Sequence, residues 1–129
     1  HDIGRAYTHD VHHGLRGARI LRSVGVAEKV VRIVESHVGA GIPEEEAKNI
    51  GLPPKDYIPQ TAEEKIVCYA DKLISGERVI SFKQALKEME RCLGSGHPAL
   101  KRLTRLREEI LQFTGGKDFA SRFDGKNSK

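Results

Sequence analysis

The chain opens with His1-Asp2, an imidazole beside a carboxylate, both of them ligands for a divalent cation. Neighbouring side chains in a regular helix diverge by about 100°, so one ion takes both only where the backbone turns. Gly4 is the expected terminator of a helix at that point. His13 precedes Gly17 by one turn on the inner face of a predicted helix, and His37 follows Ile33 and Val34 on an apolar stripe. A lone histidine in such a place is ordinarily a hydrogen-bonded core residue. Asp71 adds a different signal: it sits among Val67, Ala70 and Ile74, from or beside the apolar face of its helix. A carboxylate there needs a cation, a donor set, a metal, or an edge position open to water. Two inward histidines, an inward aspartate and a His-Asp pair together point to metal-assisted chemistry, in which an ion lowers the pKa of bound water and polarises an oxygen.

The elements that must position these residues are helical. Ile20, Leu21 and Val24 follow His13 and Gly17 at helical spacing, with Arg16, Arg19 and Arg22 over the remaining surface and Gly25 as the stop. A second helix runs from Val26 to Ser36 on Val30, Ile33 and Val34, and Gly39 with Gly41 breaks it. Residues 39–60 hold Pro43, Pro53, Pro54 and Pro59, which predicts a loop bordering the site with one helical turn at Glu44–Asn49. Thr61 with Glu64, and Ser81 with Gln84, are capping-box pairs that open two further helices. The first of these places Ile66, Val67, Ala70, Leu73 and Ile74 on one face. Pro98 starts the last helix, on Leu100, Leu103, Leu106, Ile110 and Leu111. The expected fold is all-α, a compact bundle of about five to six helices over residues 1–114. A flexible tail is expected over 115–129, with Phe119 and Phe123 as docking points.

Composition narrows the function classes. Hydrophobic residues make up 38% and charged residues 31% of 129 residues, which suits one soluble domain. Cys68 and Cys92 lack the spacing of a zinc site or a disulfide framework. No apolar run reaches membrane-spanning length, and the expected location is cytoplasmic, with free thiols. The net charge of +4 favours anionic partners without specifying nucleic acid. Aromatics are not interleaved with basic residues along the chain, which counts against an RNA binder.

The order His1-Asp2-Ile3-Gly4-Arg5, His13-x-x-x-Gly17-Ala18-x-Ile20-Leu21, Glu35-Ser36-His37 with Gly39, and Ala70-Asp71 resembles the HD-domain phosphohydrolase superfamily in its HDIG-type branch. The resemblance spans residues 1 to 75. It implies a helical domain with one or two divalent ions, His1, Asp2 and Asp71 as ligands, and a fourth ligand on a helix upstream of His1. His13 and His37 match residues that hold a second ion or act in catalysis, although Val38 stands where a second histidine commonly follows His37. Asp2, His13 and His37 are thus the implied catalytic residues. Arg5 stands where relatives carry Lys and, with Lys72, is the candidate for holding substrate phosphate. A nitrogen and oxygen donor set without thiolate suits Mn²⁺, Fe, Co²⁺, Ni²⁺ or Mg²⁺.

The activity implied is metal-dependent hydrolysis of a nucleotide or other phosphoester, with a small phosphorylated substrate, a homodimer as one assembly, no membrane partner, and nucleic acid as the less favoured partner. Two rivals carry different chemistry. One is a non-catalytic regulatory domain that senses a nucleotide, favoured by Val38. The other is an RNA-acting module, favoured by the positive charge.

Overall fold

A computed structural model describes residues 1–117. Among them the fold is all-α: a short 3-10 turn at Ile3–Ala6, then α1 (His13–Ser23), α2 (Glu28–Glu35), α3 (Glu44–Asn49), α4 (Ala62–Lys72), α5 (Phe82–Leu93) and α6 (Pro98–Phe113). The only strands among these residues are β1 (Ile74–Ser75) and β2 (Arg78–Val79), an antiparallel hairpin pairing Ile74 with Val79. No helix among the described residues is long and apolar enough to cross a membrane. The chain divides into two compact units, His1–Cys68 and Tyr69 onward, with the boundary inside α4. The expected tail lies mostly outside the described residues, Phe119 and Phe123 included; Gly115–Gly116 close α6 as a turn.

In the first unit α1 lies against α2 through small residues. A Cβ on Gly14 would come 2.8 Å from Val38 Cγ2, and one on Gly17 2.9 Å from Val34 Cγ1, so bulk at either position would push the helices apart. Gly25, at φ +83°, ends α1 in a conformation that L side chains rarely adopt. Residues 39–60 are more ordered than a bare loop. Ile42 and Tyr57 exchange backbone hydrogen bonds at 3.1 and 2.8 Å, and Leu15, Ile42, Ala47, Leu52 and Tyr57 form a buried cluster with Val38 against it. The Tyr57 hydroxyl donates to Pro53 O at 2.8 Å, which satisfies the one polar atom this ring brings inside.

Both capping boxes form. Thr61 N–H donates to Glu64 Oε2 and Glu64 N–H to Thr61 Oγ1 at the start of α4, and Ser81 with Gln84 does the same for α5. The buried face of α4 differs from the expected one. Glu64, Cys68 and Tyr69 are buried, whereas Ile66 is 48% exposed, and the helix ends at Lys72, so Ile74 lies in β1 and not on this face. The cause is a charge: the inward face carries a carboxylate whose partners are the cap and Arg32, 3.4 Å away, and a hydrophobic pattern passes over such a residue. In the second unit, Pro98 follows an N-cap His97 whose Nδ1 accepts from Ala99 N–H at 3.0 Å, and Ala99, Leu103 and Leu106 carry the buried face of α6.

Candidate metal centre and its surroundings

His13 begins α1, His37 follows the end of α2, and the 3-10 turn brings His1-Asp2 to them. Gly4 makes that approach possible. It lies within the 3-10 turn rather than ending a helix, and a Cβ built on it would stand 1.9 Å from His13 O and 2.7 Å from Gly17 N. Its role is close backbone approach, not chain termination, which corrects the expectation drawn from its position after His1-Asp2.

His13 Nδ1 stands 2.7 Å from Asp10 O, and His37 Nδ1 stands 2.6 Å from Val34 O. A carbonyl oxygen can only accept, so both Nδ1 atoms carry the hydrogen and each neutral ring presents a lone pair on Nε2. Those Nε2 atoms face each other at 2.9 Å, and Asp2 Oδ1 lies 3.5 Å from each. His1 adds its Nε2 at 3.2 Å from Asp2 Oδ2, and its ring meets that of His37 edge-on with centroids 4.8 Å apart. Two opposed lone pairs beside a carboxylate repel one another unless a proton or a metal ion stands among them. Ligands held at about 2.1 Å by one ion lie roughly 3.0–3.4 Å from each other, close to these spacings. His1, Asp2 and His37 each offer a ligand atom within 4.8 Å of the others. The donor set therefore fits a divalent metal.

Burial is uneven across the cluster. His13 and His37 are 5% and 0% exposed, whereas Asp2 keeps 47% of its side chain in solvent. His13 and His37 form a buried floor, and the carboxylate an open rim. Arg5 joins the rim, its Nε 3.3 Å from Asp2 Oδ1 and its Nη1 donating to His9 O. Asp71 and Lys72 belong to the second unit, where Lys72 Nζ donates to Asp71 Oδ2 at 2.6 Å.

Several residues that shape the site were not singled out for that role by the sequence, although Glu35 stands in the Glu35-Ser36-His37 motif. Asp10 orients two histidines: its carbonyl holds His13, and its carboxylate accepts from His12 N–H at 2.8 Å and Thr8 Oγ1 at 2.9 Å. Those donors, the His12 amide first, hold the Asp10 carboxyl below its usual range. Glu35, two residues before His37, has a fully buried side chain. Lys55 stands 2.5 Å from it, Arg22 3.1 Å and Arg32 3.5 Å. Its Oε1 lies beside Lys55 and Arg32 but makes no well-directed hydrogen bond, so the attraction there is chiefly Coulombic. Buried Cys68 turns its thiol toward His37 O at 3.6 Å and Gly39 O at 3.5 Å, which seats α4 on the segment that carries His37.

The HD-domain family model matches residues 1–76. The chain is 52% identical over 110 residues to an uncharacterized protein of Methanocaldococcus jannaschii, covering 85% of this chain and 65% of that protein. It is 46% identical over 115 residues to the tRNA (cytidine(56)-2'-O)-methyltransferase of Picrophilus torridus, covering 89% of this chain and 33% of that protein. A protein of the same name from Thermoplasma volcanium is 48% identical over 86 residues, 67% of this chain and 25% of that protein. The chain thus spans less than two thirds of each of these relatives. No solved structure matches it. These relatives overturn the phosphohydrolase reading and its small nucleotide substrate, because the two with a named activity modify RNA. The motif specifies groups able to hold a cation, and a cation so placed would not by itself choose the bond that reacts.

Proposed function

This chain belongs to the HD-domain family, and from that premise we propose that it is an RNA-acting module that engages tRNA beside a divalent ion held by His1, Asp2, His13 and His37. The observation that carries the reading is its similarity, over most of its own length, to two proteins named as tRNA methyltransferases. The reading assigns this chain RNA recognition and leaves methyl transfer to the whole proteins that bear the name. The net charge of +4 supports it, since phosphate contacts dominate affinity for RNA.

The donor set supports an ion such as Mn²⁺, Fe, Co²⁺ or Ni²⁺ over Mg²⁺, because imidazoles outnumber carboxylates. When bound, the ion would supply a positive centre for a phosphate or ribose oxygen. The buried imidazoles fix the donor atoms, and Arg5 at the rim offers a planar guanidinium to a phosphate.

The test is binding of the 129-residue chain to a tRNA transcript and to a DNA duplex of similar length, followed by fluorescence anisotropy over a range of NaCl concentrations, with Mn²⁺ or with a chelator. Tighter binding to tRNA than to duplex at every salt concentration, strengthened by Mn²⁺, is expected. Equal affinity for both that vanishes as salt rises would reduce the interaction to bulk charge and defeat the reading.

A further inference from the structure

Beside the metal cluster, within the first unit, lies a cavity of about 330 Å³. One face of α1 and its N-cap residue form the wall: His12, Leu15, Arg16 and Arg19 recur at the spacing of a single helical stripe. The residue that caps the 3-10 turn, Tyr7, stands opposite and is 67% exposed. Arg16 lies over one face of the Tyr7 ring at 4.9 Å, and that exposure leaves the rest of the ring to solvent. His12 and His13 are consecutive, so the stripe that lines this cavity adjoins the residue that enters the metal cluster. Asp10 is the one acidic lining residue, and it is engaged by Thr8 and His12. Arg16 and Arg19 therefore set the sign of the cavity.

We propose that this cavity is a subsite for one unpaired nucleotide of RNA, with the base stacked on Tyr7 and the adjoining phosphate held by Arg19. The inference rests on the RNA reading above and names where that RNA is gripped. Three features favour a nucleotide over a bare anion. The aromatic face is open, Leu15 gives the floor an apolar patch, and the arginine that already covers the ring can accompany a stacked base by planar contact. A free phosphate would use only the arginines. Tyr7 and Arg16 lie two sequence segments apart and meet only through the fold, so the aromatic and basic pairing expected of a single-strand binder is present here although the linear sequence does not display it.

The probe is a fluorescein-labelled single-stranded RNA oligonucleotide of mixed A and U, titrated with the full chain at several NaCl concentrations. Tyr7→Ala should weaken binding about tenfold at every salt concentration without changing the salt slope, as loss of one stacked base requires. Tyr7→Phe should bind as wild type does. Arg19→Ala should lower the salt slope by about 0.7, the value for one phosphate contact on a single strand. Tyr7 and Arg19 are both exposed, so unchanged melting temperatures are expected for all three variants. If wild type binds the oligonucleotide and Tyr7→Ala stays within about twofold of it, the subsite is wrong while the RNA reading stands. If the arginine variant alone loses affinity, the cavity is an anion site and the nucleotide assignment fails. If wild type binds neither the oligonucleotide nor tRNA, the RNA reading fails and the subsite with it.

Discussion

Glu35→Gln removes one charge and keeps the shape of a side chain that has no solvent exposure and three cations around it. Removing one partner of a buried ion pair costs about 3–5 kcal/mol when the remaining charge is stranded. Here Arg22, Arg32 and Lys55 keep between 31% and 44% of their side chains in solvent, so each recovers hydration and the cost falls. The amide still accepts from Arg22 but turns a donor toward Lys55 or Arg32. About 2 kcal/mol is the expected loss, corresponding to roughly 6–10 °C in Tm for a chain of this length. Urea denaturation followed by circular dichroism measures it. Glu28→Gln, which removes the exposed partner of Arg22, is the control and should leave stability unchanged. A second readout is Tyr57, whose phenol is pushed up by burial and, to a lesser degree, by Glu35. In Glu35→Gln its titration should move toward the ordinary tyrosine value without reaching it. A variant as stable as wild type would refute the claim that this carboxylate joins α1, α2 and the Pro-rich segment.

Gly4→Ala should destabilise the fold by roughly 3 kcal/mol or prevent folding, and should weaken Mn²⁺ binding measured by calorimetry, because its methyl meets His13 O. Thr61→Val should cost about 1 kcal/mol through the lost cap of α4, seen in urea denaturation. Burial opposes ionisation of Glu64, but the Thr61 amide and hydroxyl and Arg32 outweigh it and hold its carboxyl below the usual range. The folded state therefore binds that proton more weakly than the unfolded one. Its contribution is complete above the ordinary glutamate range and is lost as pH falls through the lowered value, so Glu64→Gln should flatten the acid limb of a Tm-versus-pH profile.

Much of the helical framework was legible because its signals are local. Thr61 with Glu64, Ser81 with Gln84, Pro98 and Gly25 act within a turn of themselves, and each element begins or ends beside them. The face of α4 was misread because Glu64, not an apolar residue, points inward there. The histidines of the cluster were legible by type and by order. Their geometry was not, since Asp10 O and Val34 O, which set the two tautomers, are backbone atoms that no residue type announces.

The same contrast explains why the motif was readable and the function was not. His13 and His37 are fixed by carbonyls at helix ends, so their Nε2 pair is a property of how α1 and α2 start and stop, and any member of the family that keeps those ends keeps a place for a cation. Under the proposed reading, what comes to that place is decided by exposed groups. Tyr7, Arg16 and Arg19 carry no burial constraint, and each could change without disturbing the buried imidazoles. A substrate preference written in such residues can diverge while the buried cluster stays the same. The similarity to proteins named as tRNA methyltransferases and the HD-domain motif are therefore compatible, because exposed residues and buried helix ends can vary independently.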